Sequence, residues 1–140
     1  MDGITILYPL LGHMLLVISL YILLITRKSK AIKAKAVDFN KTALNNKAWP
    51  EDVVQVSNNL DNQFESPLVF YGLCIITVLV GAVNSFAIGL SVAYVVFRYI
   101  HAYVHVGTNY IPHRLRAFAL SLVVMLILLI QTSVQIVMNL

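Results

Sequence analysis

Residues 93–116, AYVVFRYIHAYVHVGTNYIPHRLR, combine the length and apolar character of a membrane-spanning helix with many basic and polar side chains. On an α-helix, a spacing of three or four residues aligns four of these side chains on one face: Tyr94, Arg98, His101 and His105. A charged side chain near the middle of a bilayer costs about 2.5–3.5 kcal/mol, so this face is expected to contact protein or water rather than lipid. The stretch therefore predicts a membrane protein with a polar site inside its helix bundle.

The composition of the whole chain also predicts a membrane-embedded fold. Of its 140 residues, 59% are hydrophobic and 11% are charged, whereas soluble domains carry roughly 25% charged residues. A membrane-crossing helix needs about 20 apolar residues, so the length fits one domain over residues 1–140 with four crossings. We predict an all-α, integral membrane four-helix bundle, in which Cys74 is a small core residue and His13 is an ordinary packed or interfacial histidine.

Four mostly apolar runs mark the predicted helices, at about residues 4–26, 50–83, 85–107 and 113–138. The first run is too long for a signal peptide and lacks a small-residue cleavage site, so we interpret it as a membrane helix. The second run begins with Pro50, which favours a helix start, and a bend is expected at Pro67. A short turn at Asn84 and Ser85 makes the second and third helices antiparallel neighbours.

The basic residues indicate how the helices are oriented in the membrane. Seven of the ten lysines and arginines lie in the predicted loop 27–49, and two more, Arg114 and Arg116, open the fourth helix. By the positive-inside rule, these segments are cytoplasmic. Both termini are therefore predicted on the non-cytoplasmic side of a multi-pass protein, in the inner membrane of the cell if the source is bacterial. The net charge of +4 is explained by this topology and by lipid headgroups, and we predict no nucleic-acid partner.

The predicted topology places the polar face of the third helix beside the polar half of the second. Glu65 and His105 should lie at a similar depth, and Arg98 should lie about 10 Å deeper than His105, at about 1.5 Å of rise per residue. We expect a cavity that opens to the cytoplasm, with lining residues from three helices: Asn62, Glu65, Arg98, His101, His105 and Arg114. Arg27 lies where an anionic ligand would enter it.

Three kinds of structure are compatible with this cluster. A structural ion pair between Glu65 and Arg98 accounts for the arginine but not for polar groups at several depths. A metal site on His101 and His105 has suitable i, i+4 spacing, but the adjacent arginine and the small number of histidines disfavour it. An anion pocket that binds carboxylates and stabilises a thiolate suits the planar fork of arginine. Such a pocket matches a peptide with two carboxylates, an amine and a thiol, which is the inventory of glutathione.

Two sequence patches resemble the family of membrane-associated proteins in eicosanoid and glutathione metabolism (MAPEG). Residues 62–67, NQFESP, are similar to the family's Asn-x-x-Glu followed closely by proline. Residues 98–107, RYIHAYVHVG, followed by Pro112 and Arg114, are similar to the pattern of the prostaglandin synthase branch. On these patches and the four-helix plan, the chain is identified as a member of this family, of a bacterial type.

The resemblance implies a homotrimer of four-helix bundles, with sites between subunits near the cytoplasmic side. It implies that glutathione is the cosubstrate and that Arg114 is the catalytic residue that stabilises its thiolate. It also implies that Asn62 and Glu65 contact glutathione and that Arg98 and His101 support the pocket. To these predicted binding residues we add three more: Asn58, His105 and Arg27. An apolar second substrate would enter from the membrane lipid.

Three positions depart from the family pattern. Asn58 stands where an arginine is expected, His105 where a tyrosine is expected, and Leu115 where one branch carries a serine. These departures leave two functions open. The chain is either a glutathione-dependent transferase or peroxidase acting on lipophilic electrophiles, or a non-catalytic membrane subunit of the same fold that binds lipid or a partner protein.

Overall fold

The computed structural model describes residues 3–138 and contains only helices and turns within that range. The helices follow one another in this order: a 3₁₀ turn (Gly3–Ile6), α1 (Leu7–Lys33), α2 (Phe39–Thr42), a 3₁₀ turn (Asn46–Ala48), α3 (Glu51–Asn62), α4 (Ser66–Leu79), α5 (Ser85–Val106) and α6 (Ile111–Met138). The all-α prediction is confirmed.

Four helical segments are long and apolar enough to cross a membrane: Gly3–Lys33, Glu51–Leu79, Ser85–Val106 and Ile111–Met138. Their outer surfaces carry large apolar side chains such as Leu11, Ile18 and Ile130, each more than half exposed. A surface of this kind is stable in lipid rather than in water. The chain is therefore an integral membrane protein with four long apolar helices, as predicted.

The second predicted helix, 50–83, is two helices separated at residues 63–65. Pro67 lies in the first turn of α4, where its missing N–H removes no hydrogen bond within the helix. The helix is therefore interrupted before Pro67, whereas only a bend at Pro67 was expected. The break leaves Gln63 buried in the bundle, with 1% of its surface exposed, while Glu65 faces outward.

The first helix is longer than predicted, because α1 continues past Thr26 to Lys33. The predicted loop 27–49 is therefore shorter, and it contains α2 and the second 3₁₀ turn. Asp38 caps α2 by accepting hydrogen bonds from the backbone N–H groups of Asn40 and Lys41.

The core is built around α5, which packs against α1, α3 and α6. The ring of Tyr94 on α5 stacks on that of Phe70 on α4, with centroids 4.0 Å apart. Buried hydroxyls also join the helices: the Oγ1 atoms of Thr77 and Thr132 lie 2.8 Å apart, between α4 and α6. Such hydrogen bonds contribute to helix association in lipid, where exclusion of water adds little.

Candidate functional site

A cleft of about 180 Å³ opens between α3, α5 and the beginning of α6. Polar and apolar side chains line it: Asn62, His101, Ile111, Arg114, Leu115 and Phe118. Three of the site residues predicted from the sequence, Asn62, His101 and Arg114, therefore meet here, one from each helix. No carboxylate is among the lining residues, so the only permanent charge in the lining is positive.

Arg114 is partly exposed and is held at the edge of the cleft by the turn that precedes α6. Its Nη1 donates a hydrogen bond to Oδ1 of Asn109 over 2.7 Å. Asn109 has a φ of 53°, in the left-handed region that asparagine tolerates better than most residues. The turn thus orients the guanidinium while leaving donors of Arg114 able to bind an anion.

His101 presents an unpaired ring nitrogen beside the cleft. Its Nδ1 lies 3.0 Å from the backbone oxygen of Arg114 and must donate, because a carbonyl oxygen only accepts. In the neutral imidazole, Nε2 is then a hydrogen-bond acceptor. That Nε2 is buried and has no partner among the described residues. The orientation of His101 is therefore fixed by α6, and its free nitrogen can accept from a bound N–H or O–H group.

Arg98 is fully buried behind Asn62, at 0% exposure. Its Nη2 donates to the backbone oxygen of Asn62 at 2.8 Å and to Oε1 of Gln63 at 3.0 Å. Its Nε and Nη1 have no partner in residues 3–138, and its Cζ lies 5.8 Å from the centroid of the Phe118 ring. Arg98 therefore holds in place the end of α3 that lines the cleft.

The ion pair considered from the sequence, between Glu65 and Arg98, is not formed within the described residues. Glu65 is exposed and lies in the break between α3 and α4, away from the lining of the cleft. A buried cation with unpaired donors is costly. The buried Arg98 is therefore better suited to interact with an anion than to form a structural ion pair with Glu65.

The remaining predicted site residues lie at three other places. His105 is buried next to His101, with ring centroids 5.5 Å apart, and its Nδ1 has no partner among the described residues. Asn58 is exposed and does not line the cleft. Arg27 donates to the backbone oxygens of Asp52 and Val106, at 2.6 and 2.9 Å, and so joins α1 to the beginning of α3 and the end of α5.

No group of three or more histidine, cysteine or acidic side chains in the described part of the chain is arranged to hold a metal ion. His101 and His105 do lie together, as their spacing predicted. Their unpaired nitrogens face a neighbourhood that contains Arg98 and Arg114 rather than a carboxylate. The chemistry of this donor set does not fit a cation.

A buried hydrogen-bond network behind the cleft was not predicted from the sequence. Gln63 Nε2 donates to the backbone oxygen of Asn59 at 3.1 Å and to its Oδ1 at 2.9 Å. His13 places Nε2 3.1 Å from Oε1 of Gln63 and Nδ1 2.6 Å from the hydroxyl of Tyr71. His13 is therefore the centre of a polar network and not an ordinary packed histidine. The signal in the sequence was a lone ionisable residue within an apolar span.

The direction of each hydrogen bond in this network can be assigned from its two ends, where only one direction is possible. Arg98 can only donate and the carbonyl of Asn59 can only accept, so Gln63 must present oxygen to Arg98 and nitrogen to Asn59. Oε1 of Gln63 then accepts from Nε2–H of His13. In the neutral ring, Nδ1 of His13 accepts the proton of the Tyr71 hydroxyl. Gln63 thus connects the arginine behind the cleft to α1 and α4.

Replacing Gln63 with leucine is expected to lower the free energy of unfolding by about 2 kcal/mol, because buried donors and acceptors on Arg98, His13 and Asn59 lose their partner. Denaturation of the detergent-purified protein, followed by circular dichroism, measures this change. Asn58→Leu, on the exposed face of α3 just before Gln63, is the control and should change stability by less than about 0.5 kcal/mol. Equal effects of the two substitutions would contradict the network.

In the comparison with protein-family models, the model described as MAPEG family matches residues 5–134. That range includes the four long helices up to the last turns of α6 and every residue that lines the cleft. Neither a curated protein nor a solved structure matches the chain.

Proposed function

This chain belongs to the MAPEG family, and from that membership we propose that it is a glutathione-dependent membrane enzyme acting on lipophilic electrophiles or hydroperoxides. Its family relates it to glutathione and eicosanoid metabolism, and its four apolar helices agree with a membrane location. The observation that carries the proposal is that Arg114 lines a cleft together with the polar side chains of Asn62 and His101. No acidic residue is part of that lining.

The proposed chemistry begins with the thiol of glutathione beside Arg114. A fixed positive charge favours the thiolate over the thiol, and the thiolate is the nucleophile. The thiolate sulfur then forms a bond to the carbon of an electrophile, whose leaving group departs with its bonding electrons, or attacks the outer oxygen of a hydroperoxide and breaks the O–O bond. In the second case the other oxygen leaves as an alcohol after taking a proton from water, and a second glutathione converts the resulting sulfenic acid to the disulfide with release of water. Arg114 is proposed as the catalytic residue because its donors are only partly used, by Asn109.

The peptide part of glutathione is proposed to bind against Asn62 and His101. The amide of Asn62 offers both a donor and an acceptor, and Nε2 of His101 offers a buried acceptor. Arg98 supports this wall through its hydrogen bond to the backbone of Asn62. His105 supports it through its ring contact with His101. Asn58, Glu65 and Arg27 are left outside the cleft of a single chain.

A single chain offers too small a cleft to enclose a tripeptide. Ligand pockets usually measure about 300–1,000 Å³, whereas this cleft measures about 180 Å³. Ile111 and Leu115 at its edge are 63% and 61% exposed, although both are apolar. Apolar side chains around a polar cleft are typical of an interface. We propose that a second subunit completes the site in a homotrimer.

A second candidate function is supported by the apolar grooves on the membrane-facing surface. One groove of about 290 Å³ lies between α4 and α6, and another of about 330 Å³ lies between α1 and α4. Both exceed the polar cleft in volume and are lined almost entirely by apolar atoms. A non-catalytic, lipid-binding membrane subunit would use these grooves and would leave the cleft without glutathione.

Thermal unfolding with and without glutathione separates these two functions. Because a ligand that binds only the folded state stabilises it by RT ln(1 + [L]/Kd), where [L] is the free ligand concentration, millimolar glutathione should raise the Tm of the detergent-purified protein. Glycine and glutamate at the same concentration provide the control for ionic strength. Absence of any shift up to millimolar glutathione would reject the enzyme and favour the lipid-binding subunit.

A further inference from the structure

Another concave surface, which we call the α5–α6 groove, lies between those two helices and shares no lining residue with the cleft. It measures about 190 Å³ and is lined by seven residues; those on α5 are Phe97, Ile100 and Val104. On α6 the lining residues are His113, Arg116, Ala117 and Leu120. The groove is thus apolar along α5 and carries two basic side chains on α6.

The α5–α6 groove runs along the helices from the loop 107–110 into the apolar span. Helices α5 and α6 are antiparallel because this short loop joins them. Val104 and His113 are the lining residues closest to the loop, and Leu120 lies about 10 Å further from it than His113, at about 1.5 Å of rise per residue. One end of the groove is therefore basic and near the membrane surface, and the other end is apolar and deep.

Within residues 3–138, the basic end of the groove has no acidic partner. Arg116 is exposed, and in the described part of the chain its side chain forms neither a hydrogen bond nor an ion pair. His113 is exposed and contacts the ring of Tyr110, with centroids 4.9 Å apart. The loop end of the groove is the side predicted to be cytoplasmic, where membranes expose anionic headgroups.

We propose that the α5–α6 groove binds one anionic phospholipid. Its phosphate lies between Arg116 and His113, because the guanidinium fork matches phosphate oxygens. One acyl chain follows the apolar wall formed by Phe97, Ile100 and Leu120. A lipid with a net negative headgroup is preferred to a zwitterionic one, because the latter brings a cation close to Arg116. The proposal does not rest on glutathione binding, because the groove and the cleft have different lining residues.

Native mass spectrometry of the detergent-purified full chain tests this proposal, with phosphatidylglycerol and phosphatidylcholine of identical acyl chains as the two probes. The wild-type chain should retain phosphatidylglycerol in preference to phosphatidylcholine. Arg116→Ala should weaken retention of phosphatidylglycerol about fivefold, the change expected for one basic residue near an anionic surface. Lys47→Ala, which removes an equal charge from the exposed 3₁₀ turn Asn46–Ala48, is the matched control and should retain it normally.

Leu120→Trp tests the apolar part of the groove without altering its charge. Leu120 is 46% exposed, so the larger ring should fill the groove without disturbing the core, and retention of phosphatidylglycerol should again fall. Equal retention of both lipids by the wild type, or equal effects of Arg116→Ala and Lys47→Ala, would overturn the proposal. Thermal protection by inorganic phosphate equal to that by phosphatidylglycerol would also overturn it, since the acyl chain would then contribute nothing.

Discussion

Replacing Arg114 with alanine is expected to lower the rate of glutathione conjugation about 10²–10³-fold, the loss typical when one group that stabilises developing or bound negative charge is removed. The guanidinium lines the cleft and is oriented by Asn109 over 2.7 Å. Without it, the bound thiol should remain mostly protonated. Steady-state kinetics with a chlorodinitrobenzene as electrophile measure the rate, and the thiolate absorbance of bound glutathione measures ionisation directly.

Two further variants make the result for Arg114 specific. Arg114→Lys keeps a positive charge without the planar fork, so its rate should lie between those of the wild type and the alanine variant. Lys33→Ala removes an exposed charge at the end of α1 and should leave the rate unchanged. If Arg114→Ala kept the wild-type fraction of thiolate, the catalytic role proposed for Arg114 would be wrong.

Replacing Arg98 with methionine is expected to weaken glutathione binding about ten- to hundredfold while changing the stability of the protein little. Arg98 holds the backbone of Asn62 at 2.8 Å, and a hydrogen bond to a charged group is worth about 1.5–3 kcal/mol. Methionine preserves most of the side-chain volume and removes a buried cation, which offsets the lost hydrogen bonds. Isothermal titration calorimetry measures the affinity, and thermal unfolding without ligand measures stability.

Measuring both affinity and stability shows whether Arg98 supports the binding site or the fold. If Arg98 were purely structural, Arg98→Met would lower the Tm strongly without altering the affinity of any chain that remained folded. Leu90→Met, which substitutes a partly buried residue on the same helix, controls for the effect of an added methionine on packing. A loss of stability with unchanged affinity would contradict the role given to Arg98.

The four long helices could be predicted because each corresponds to a long, mostly apolar run of residues in the sequence. Lipid-facing and core-facing residues are both apolar in a membrane bundle, so such runs reveal the spans and their approximate ends. The end of α1 at Lys33 was missed because helix propensity, rather than hydropathy, continues the helix past Thr26. Lysine and alanine favour helix there although the segment is no longer apolar.

The depth of the site residues along the helices could be predicted from the sequence. The side of the helix on which each residue lies could be predicted only in part. His101 on α5 and Arg114 on α6 meet as expected, because antiparallel neighbours joined by a short loop share a register. Glu65 was assigned to the same cavity on the assumption of one uninterrupted helix. The break at residues 63–65 ends the helical periodicity after Asn62, so Gln63 turns inward and Glu65 outward.

The polar network through His13 depended on contacts that no local pattern contains. His13 and Gln63 are separated by 50 positions in the chain and meet only through the packing of α1 against the break. A polar residue in an apolar span predicts that some partner exists. It does not identify the partner, because that depends on the rotation of each helix about its axis.

The central claim is that glutathione binds in the cleft beside Arg114 with its thiol as a thiolate. A structure of the protein in lipid nanodiscs with millimolar glutathione tests this claim most directly. We predict density for a peptide against Asn62 and His101, with its sulfur within hydrogen-bonding distance of the Arg114 guanidinium and a second subunit covering it. A cleft that contains only lipid under these conditions would contradict the claim.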